Sequence, residues 1–138
     1  MLRNFQPVEP SALTTLQAYL LSDIANLRPF PWYFLKHFSV DRQTGCWNWR
    51  GNKATNPRYP WHQYGQYTIN PKLSDDGRKH TVCAHKYAYE RTFGPLLPSL
   101  ELDHTCENKL CVNPEHLEPV TRSVNMLRFF ARRKVGAR

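Results

Sequence analysis

The chain has 138 residues, 41% of them hydrophobic and 13% aromatic, with a formal net charge of +8 at pH 7. That length fits one modest domain, the apolar content excludes a disordered polyelectrolyte, and no run of about 18 apolar residues exists to cross a bilayer. The 11 prolines predict a loop-rich fold, and the cationic balance points to a polyanionic partner.

The N-terminus lacks a basic start, an uninterrupted apolar core and a small-residue cleavage site, so no signal peptide is expected. Without a sign of secretion, Cys46, Cys83, Cys106 and Cys111 read as thiols or metal ligands rather than disulfides, and the cytosol is the default compartment. From Ser11 to Leu27 the apolar positions Leu13, Leu16, Leu20, Leu21, Ile24 and Leu27 recur at helical spacing, with Ser11 as cap and Pro29 as stop. Pro31 to Phe38 predicts a further helical turn beside it.

Between Val40 and Ile69 the pattern changes. Asp41 to Gly45 is a turn, CWNWRG follows, and YGQYTI alternates like a strand. These predict two antiparallel strands joined by a long loop. Tyr59, Trp61, Tyr64 and Tyr67 are candidates for core packing or for stacking on bases. Asp75, Asp76 and Gly77 make the next turn, and a helix carrying His85, Lys86, Tyr89 and Arg91 ends at Gly94-Pro95.

The last quarter reads strand, loop, strand, helix. Leu100 to Asp103 is a short strand, Asn113-Pro114 closes a loop, His116 to Val120 returns, and Thr121 caps a helix to about Lys134, with Val124, Leu127 and Ala131 facing inward. From Pro119 onward there are six basic residues and no acidic one, which suits an anionic surface. No repeat, low-complexity segment or long linker divides the chain. One domain is expected over residues 1–138, with 1–39 as a helical extension and 40–138 as the core.

Chemistry concentrates between Glu101 and Arg128. Cys106, Cys111 and His116, each separated by four residues, offer three soft donors on a tight loop, which suits a structural zinc with four tetrahedral ligands. The fourth is Cys46 or Cys83. Val82-Cys83-Ala84 resembles the setting of a buried free cysteine, whereas Cys46 follows a glycine turn that lets the backbone bend toward a metal, which favours Cys46. Asp103 and His104 add a hard oxygen ligand and a base that titrates near neutrality, which zinc binding alone does not require.

These residues resemble the HNH, or ββα-metal, nucleases, especially the zinc-stapled small HNH proteins of phages and the His-Cys box homing endonucleases. The resemblance covers about Cys46 to Arg128 and is strongest from Asp103 to Asn125. His104 at the end of the first strand, Asn113 in the loop and Asn125 early in the helix occupy the three family positions. The resemblance implies an α+β fold with a zinc-stapled ββα-metal core, preceded by an N-terminal helix and a small antiparallel sheet. His104 resembles the general base, Asp103 and Asn125 the ligands of one Mg2+ or Mn2+, and Asn113 the residue that orients His104. Cys46, Cys106, Cys111 and His116 resemble the structural zinc set. Arg78 is the candidate cation for the transition-state phosphate, with Lys79, Arg58 or His85 as substitutes, and His85 lies in a segment like the AHR helix of phage members.

The implied activity is hydrolysis of phosphodiesters in double-stranded DNA, by a nickase or homing-type enzyme acting as monomer or homodimer. It would be phage- or mobile-element-encoded and act in the cytoplasm of the host cell, away from membranes. Lys53, Arg58, Arg78, Lys79, Arg122, Arg128, Arg132 and Arg133 are the expected DNA contacts, giving affinity that falls with salt. Two other readings keep the same ligands: a zinc-stabilised DNA-binding module without catalysis, and an assembly protein that uses zinc only to fold.

Overall fold

The computed structural model describes residues 30–60 and 62–136. The expected helix from Ser11 to Leu27 and the side chain of Trp61 lie outside these residues. In chain order the elements are α1 (Trp32–Leu35), β1 (Phe38–Val40), β2 (Trp47–Trp49), β3 (Lys53–Thr55), β4 (Gln63–Ile69), β5 (His80–Cys83), α2 (Ala84–Phe93), β6 (Leu100–His104), β7 (Leu117–Thr121) and α3 (Arg122–Gly136). Short 3-10 turns stand at Pro71–Leu73 and Pro114–His116. Among the described residues the architecture is mixed α/β, with three small antiparallel sheets: β1-β2, β3-β4-β5 and β6-β7. No described helix is long and apolar enough to cross a membrane.

The core is aromatic because strands this short bury area efficiently only with large rings. Phe34, fully buried on α1, touches Phe30, Phe38, Trp49, Tyr67 and Tyr87 at centroid distances of 5.1 to 5.8 Å. Phe38 and Trp47 stack at 4.7 Å. Gly65 on β4 lies under Trp49, where an added Cβ would come within 2.6 Å of the indole.

The strand expected from CWNWRG forms, but its partner differs. β2 pairs with β1, Phe38 opposite Trp49, while β4 pairs with β3 and β5. The Asp41–Gly45 turn is short enough to close a hairpin locally, a smaller loss of chain entropy than bridging to Gln63. The helical expectation for Pro31 to Phe38 holds for one turn only, because Phe38 already belongs to β1. The other edge of β2 binds the loop after β6. The Trp49 N–H donates to the Leu110 carbonyl at 2.9 Å, the Val112 N–H to the Trp47 carbonyl at 2.8 Å, and the Asn108 amide to Asn48 Oδ1 at 2.6 Å.

The inward face of α3 is another correction. Val124 is 37% exposed and Leu127 70% exposed, and Ala131 is exposed as well. Asn125, Arg128 and Arg132 face β6 and β7 instead, meeting Glu101, Asp103 and Glu118. Charge pairing, not an apolar stripe, orients this helix. Its first turn is capped as expected, Thr121 Oγ1 accepting from the Val124 N–H at 3.2 Å.

Candidate metal centre and active site

Cys46, Cys106, Cys111 and His116 each place one ligand atom within 4.8 Å of the others. The Cys46 and Cys111 sulfurs stand 3.6 and 3.5 Å from His116 Nδ1. Zinc at about 2.3 Å from sulfur and 2.0 Å from nitrogen needs edges of about 3.5 to 3.8 Å, so the set fits a tetrahedral zinc ion in donor type and in scale. Cys83 is exposed at the end of β5, opposite Gln66, and takes no part.

Local chemistry brings the four together across the chain. Gly45, at φ 75°, lets the backbone turn against His116, whose Nε2 is 3.4 Å from where a Cβ would sit. Asn113 caps the 3-10 turn by accepting from the Glu115 N–H at 3.0 Å, and its amide donates to the Gly45 carbonyl at 2.8 Å. Burial pushes the Cys111 thiol well above its ordinary range, and backbone hydrogen bonds only partly offset it. Burial raises Cys106 as well, with the adjacent Cys46 sulfur adding to the shift. Burial also acts upward on Cys46, but hydrogen bonds from Thr44 and Asn108 outweigh it and hold that thiol lower. Burial thus disfavours the thiolate forms of Cys106 and Cys111, a penalty that a bound cation would offset.

His104 ends β6 beside this cage, 4% exposed. Its Nε2 is buried with no hydrogen-bond partner among the described residues. Burial lowers its pKa to about 4, helped by the Lys109 ammonium and opposed by a hydrogen bond with the Cys111 backbone and by Asp103. The imidazole is therefore neutral at pH 7, and hydrogen bonding to the Cys111 backbone leaves Nε2 as the acceptor. The His85 ring, on α2, lies 4.8 Å away. Its pKa falls to about 3, chiefly through burial and then through His104. Tyr64 flanks His85 at 5.9 Å, and Lys109 places its ammonium 5.8 Å over the Tyr64 ring.

Strand alternation puts Glu101 and Asp103 on one side of β6 and His104 on the other. Positions 125, 128 and 132 share one side of α3, and they meet the two carboxylates. The Asn125 amide donates to Glu101 Oε2 at 2.8 Å, which leaves its carbonyl oxygen as the end able to ligate. Arg128 Nη1 donates to Asp103 Oδ2 at 2.9 Å and to Glu118 Oε2 at 2.6 Å. Arg132 grips both Asp103 oxygens, at 2.7 and 3.0 Å, and its Nε lies 3.3 Å from Glu107. These arginines hold the Asp103 carboxyl below the usual carboxylate range, Arg132 most strongly, against the opposing effect of burial. A carboxylate and an amide oxygen fit a hard divalent ion in donor type, with guanidinium groups standing on the carboxylate and the neutral imidazole on the other side of β6.

Asn113 binds Gly45 and Glu115, so it ties the loop rather than touching the His104 ring directly. Arg78 is exposed, and its backbone N–H donates to Asp76 at 2.9 Å. Lys53, Arg58, Lys79 and Arg122 are exposed, and Arg133 lies 5.5 Å over the Phe129 ring. Lys109 was absent from the sequence-derived set. Its signal was its place between two ligand cysteines, where a lysine ordinarily reads as a solvated charge.

The model of a family described as HNH endonuclease matches residues 82–127, the stretch from the end of β5 into α3. The chain is 31% identical over 74 residues to the uncharacterized gene 5.3 protein of Enterobacteria phage T3, covering 54% of this chain and 73% of that one. It is 35% identical over 54 residues to protein 7.7 of Escherichia phage T7, covering 39% of this chain but only 35% of the relative. No solved structure matches significantly. A family match laid over the elements that carry His104, three of the four cage residues and Asn125, with phage relatives alongside, makes this chain a member of the HNH endonuclease family.

Proposed function

We propose that the protein is a DNA endonuclease that hydrolyses phosphodiesters to leave a 5′ phosphate and a 3′ hydroxyl, with residues 40–138 as its nuclease core. The supporting observation is the buried, neutral His104 with an unpartnered Nε2, set next to Asp103 at the end of a strand that leads through a ligand-rich loop to β7 and α3. In this reading β6, β7 and the start of α3 are the ββα-metal core, and the Cys3His cage is its structural zinc staple. Asp103 and Asn125 would hold one Mg2+ or Mn2+, which when bound supplies charge neutralisation at the scissile phosphate and the leaving oxygen.

His104 removes the proton from the attacking water. Hydrogen bonding with the Cys111 backbone orients the ring, so that Nε2 is free to accept the proton. Asn113 acts indirectly, by keeping the ligand loop closed on Gly45. Lys109, whose ammonium acts on the His104 ring, joins Arg78 as a candidate to meet a phosphate oxygen. Lys53, Arg58, Lys79 and Arg122 offer exposed charge for the DNA backbone, a sequence-independent term that weakens with salt. One active site handles one strand at a time, so a monomer would nick and a homodimer could cut both strands.

One observation favours a second reading, a zinc-stabilised DNA-binding module without catalysis: Asp103 is held by two arginines instead of standing open. Supercoiled plasmid incubated with Mg2+ or with EDTA separates the two. The enzyme reading expects nicked product with Mg2+ only, bearing a 5′ phosphate, and loss of at least about a hundredfold in rate for His104→Ala. DNA retardation without nicking under any divalent ion would establish the module instead.

A further inference from the structure

The contact between α3 and Asp103 places positive charge where a nuclease reading requires a cation. Asp103 is 4% exposed, and both its oxygens accept from guanidinium groups, Oδ1 from Arg132 and Oδ2 from Arg132 and Arg128. A divalent ion entering this carboxylate would compete for the same lone pairs. It would also sit within a few ångströms of two fixed positive charges, a repulsion that water screens poorly at a buried carboxylate.

The same arginines are only half committed to the interior. Their side chains are 35% and 33% exposed, and each reaches an outward carboxylate, Glu118 at 48% exposure and Glu107 at 61%. Guanidinium binds phosphate with the same fork geometry that it uses for carboxylate. A DNA backbone laid along α3 therefore offers both arginines replacement partners that accept the same bidentate grip and carry the same single negative charge, repeated along the strand.

We infer that Arg128 and Arg132 form an exchangeable clamp that holds Asp103 closed to a divalent ion until DNA phosphates draw the guanidinium groups away, so that ion and DNA load cooperatively. The inference rests on the proposed role of Asp103 as an ion ligand. Linkage makes the coupling reciprocal: whatever factor DNA adds to ion affinity, the ion adds to DNA affinity.

The test measures Mn2+ binding by the electron paramagnetic resonance of free Mn2+. It uses the full zinc-loaded chain in a His104→Ala background, so that a duplex added in half the samples stays uncut. Duplex should raise Mn2+ affinity by about tenfold or more. Arg132→Gln should raise it by a similar factor without DNA and shrink the effect of duplex. Arg132→Lys, which keeps the charge but loses the bidentate grip, should fall between. Thermal melts report folding, and the lysine variant carries the comparison if the glutamine variant does not fold. If Asp103→Asn abolishes Mn2+ binding while neither Arg132 variant gains affinity, the arginines merely brace the helix and the clamp is wrong. If Asp103→Asn binds Mn2+ like its parent, the role of Asp103 fails and the clamp fails with it.

Discussion

Lys109 illustrates how a single side chain can bias the charge state of a neighbouring histidine. Its ammonium lies in a half-buried position, and it is the leading charge that, after burial, disfavours the His104 imidazolium. In the proposed role of His104 as base the ring must be unprotonated to act, so activity is expected to rise with pH through its pKa, which lies near 4 rather than at the ordinary 6.5. Removing the neighbouring charge raises that pKa. Lys109→Met is therefore expected to move the acid limb of the kcat/KM profile toward higher pH and to slow cleavage by about tenfold or more, with Lys109→Arg restoring the limb. A limb that stays in place, or moves to lower pH, would remove Lys109 from the site. The sequence made His104 conspicuous through its Asp-His pair, but the burial that turns a histidine of ordinary acidity into a neutral one depends on His85 and Tyr64, which reach the site from α2 and β4. No spacing in the sequence encodes that.

At the scale of elements, the short strands owe their register to ring packing. Trp49 lies across Gly65, so β2 and β4 approach through an indole seated where no side chain grows. Gly65→Ala should cost about 1 to 3 kcal/mol, since the indole of a filled core has little room to yield, and a chemical-denaturation midpoint compared with wild type measures it. An unchanged midpoint would mean that Trp49 repacks freely. This pairing was not legible beforehand: alternation marked CWNW and YGQYTI as strands, yet alternation carries no information about which edge meets which. The polar face of α3 escaped notice for a related reason. Val124, Leu127 and Ala131 follow a helical period, but Asn125, Arg128 and Arg132 follow the same period one position on, and only the carboxylates of β6 and β7 decide between them.

For the whole molecule, the cage joins segments that the sheets leave separate. Cys46 belongs to the first hairpin, Cys106 and Cys111 to the loop that binds β2, and His116 to the turn that starts β7. A bound zinc in such a cage contributes on the order of 10 kcal/mol of apparent folding free energy, as much as the net stability of a small domain. Stripping the metal with a strong chelator is expected to abolish the cooperative melt and the near-ultraviolet circular dichroism of the buried indoles, and added zinc should restore both. A chelated protein that keeps its melting temperature would relegate the cage to a minor role. The cysteine and histidine spacing made three of these positions readable from sequence; the fourth, Cys46, stood out against Cys83 only through the glycine before it, whose φ of 75° the structure supplies.

The 70-residue separation of Cys46 from His116 also imposes an order on synthesis. At about 5 to 20 residues per second, Cys46 waits on the order of 4 to 14 seconds for its last partner. His104 itself is added late in that interval, and until His116 follows it lacks its closed loop, because the Thr105 N–H and the His116 carbonyl are not yet joined. A nascent chain that ends short of His116 therefore carries basic charge and thiols with the cage incomplete, and the candidate site assembles only after that turn, and α3 behind it, have been released.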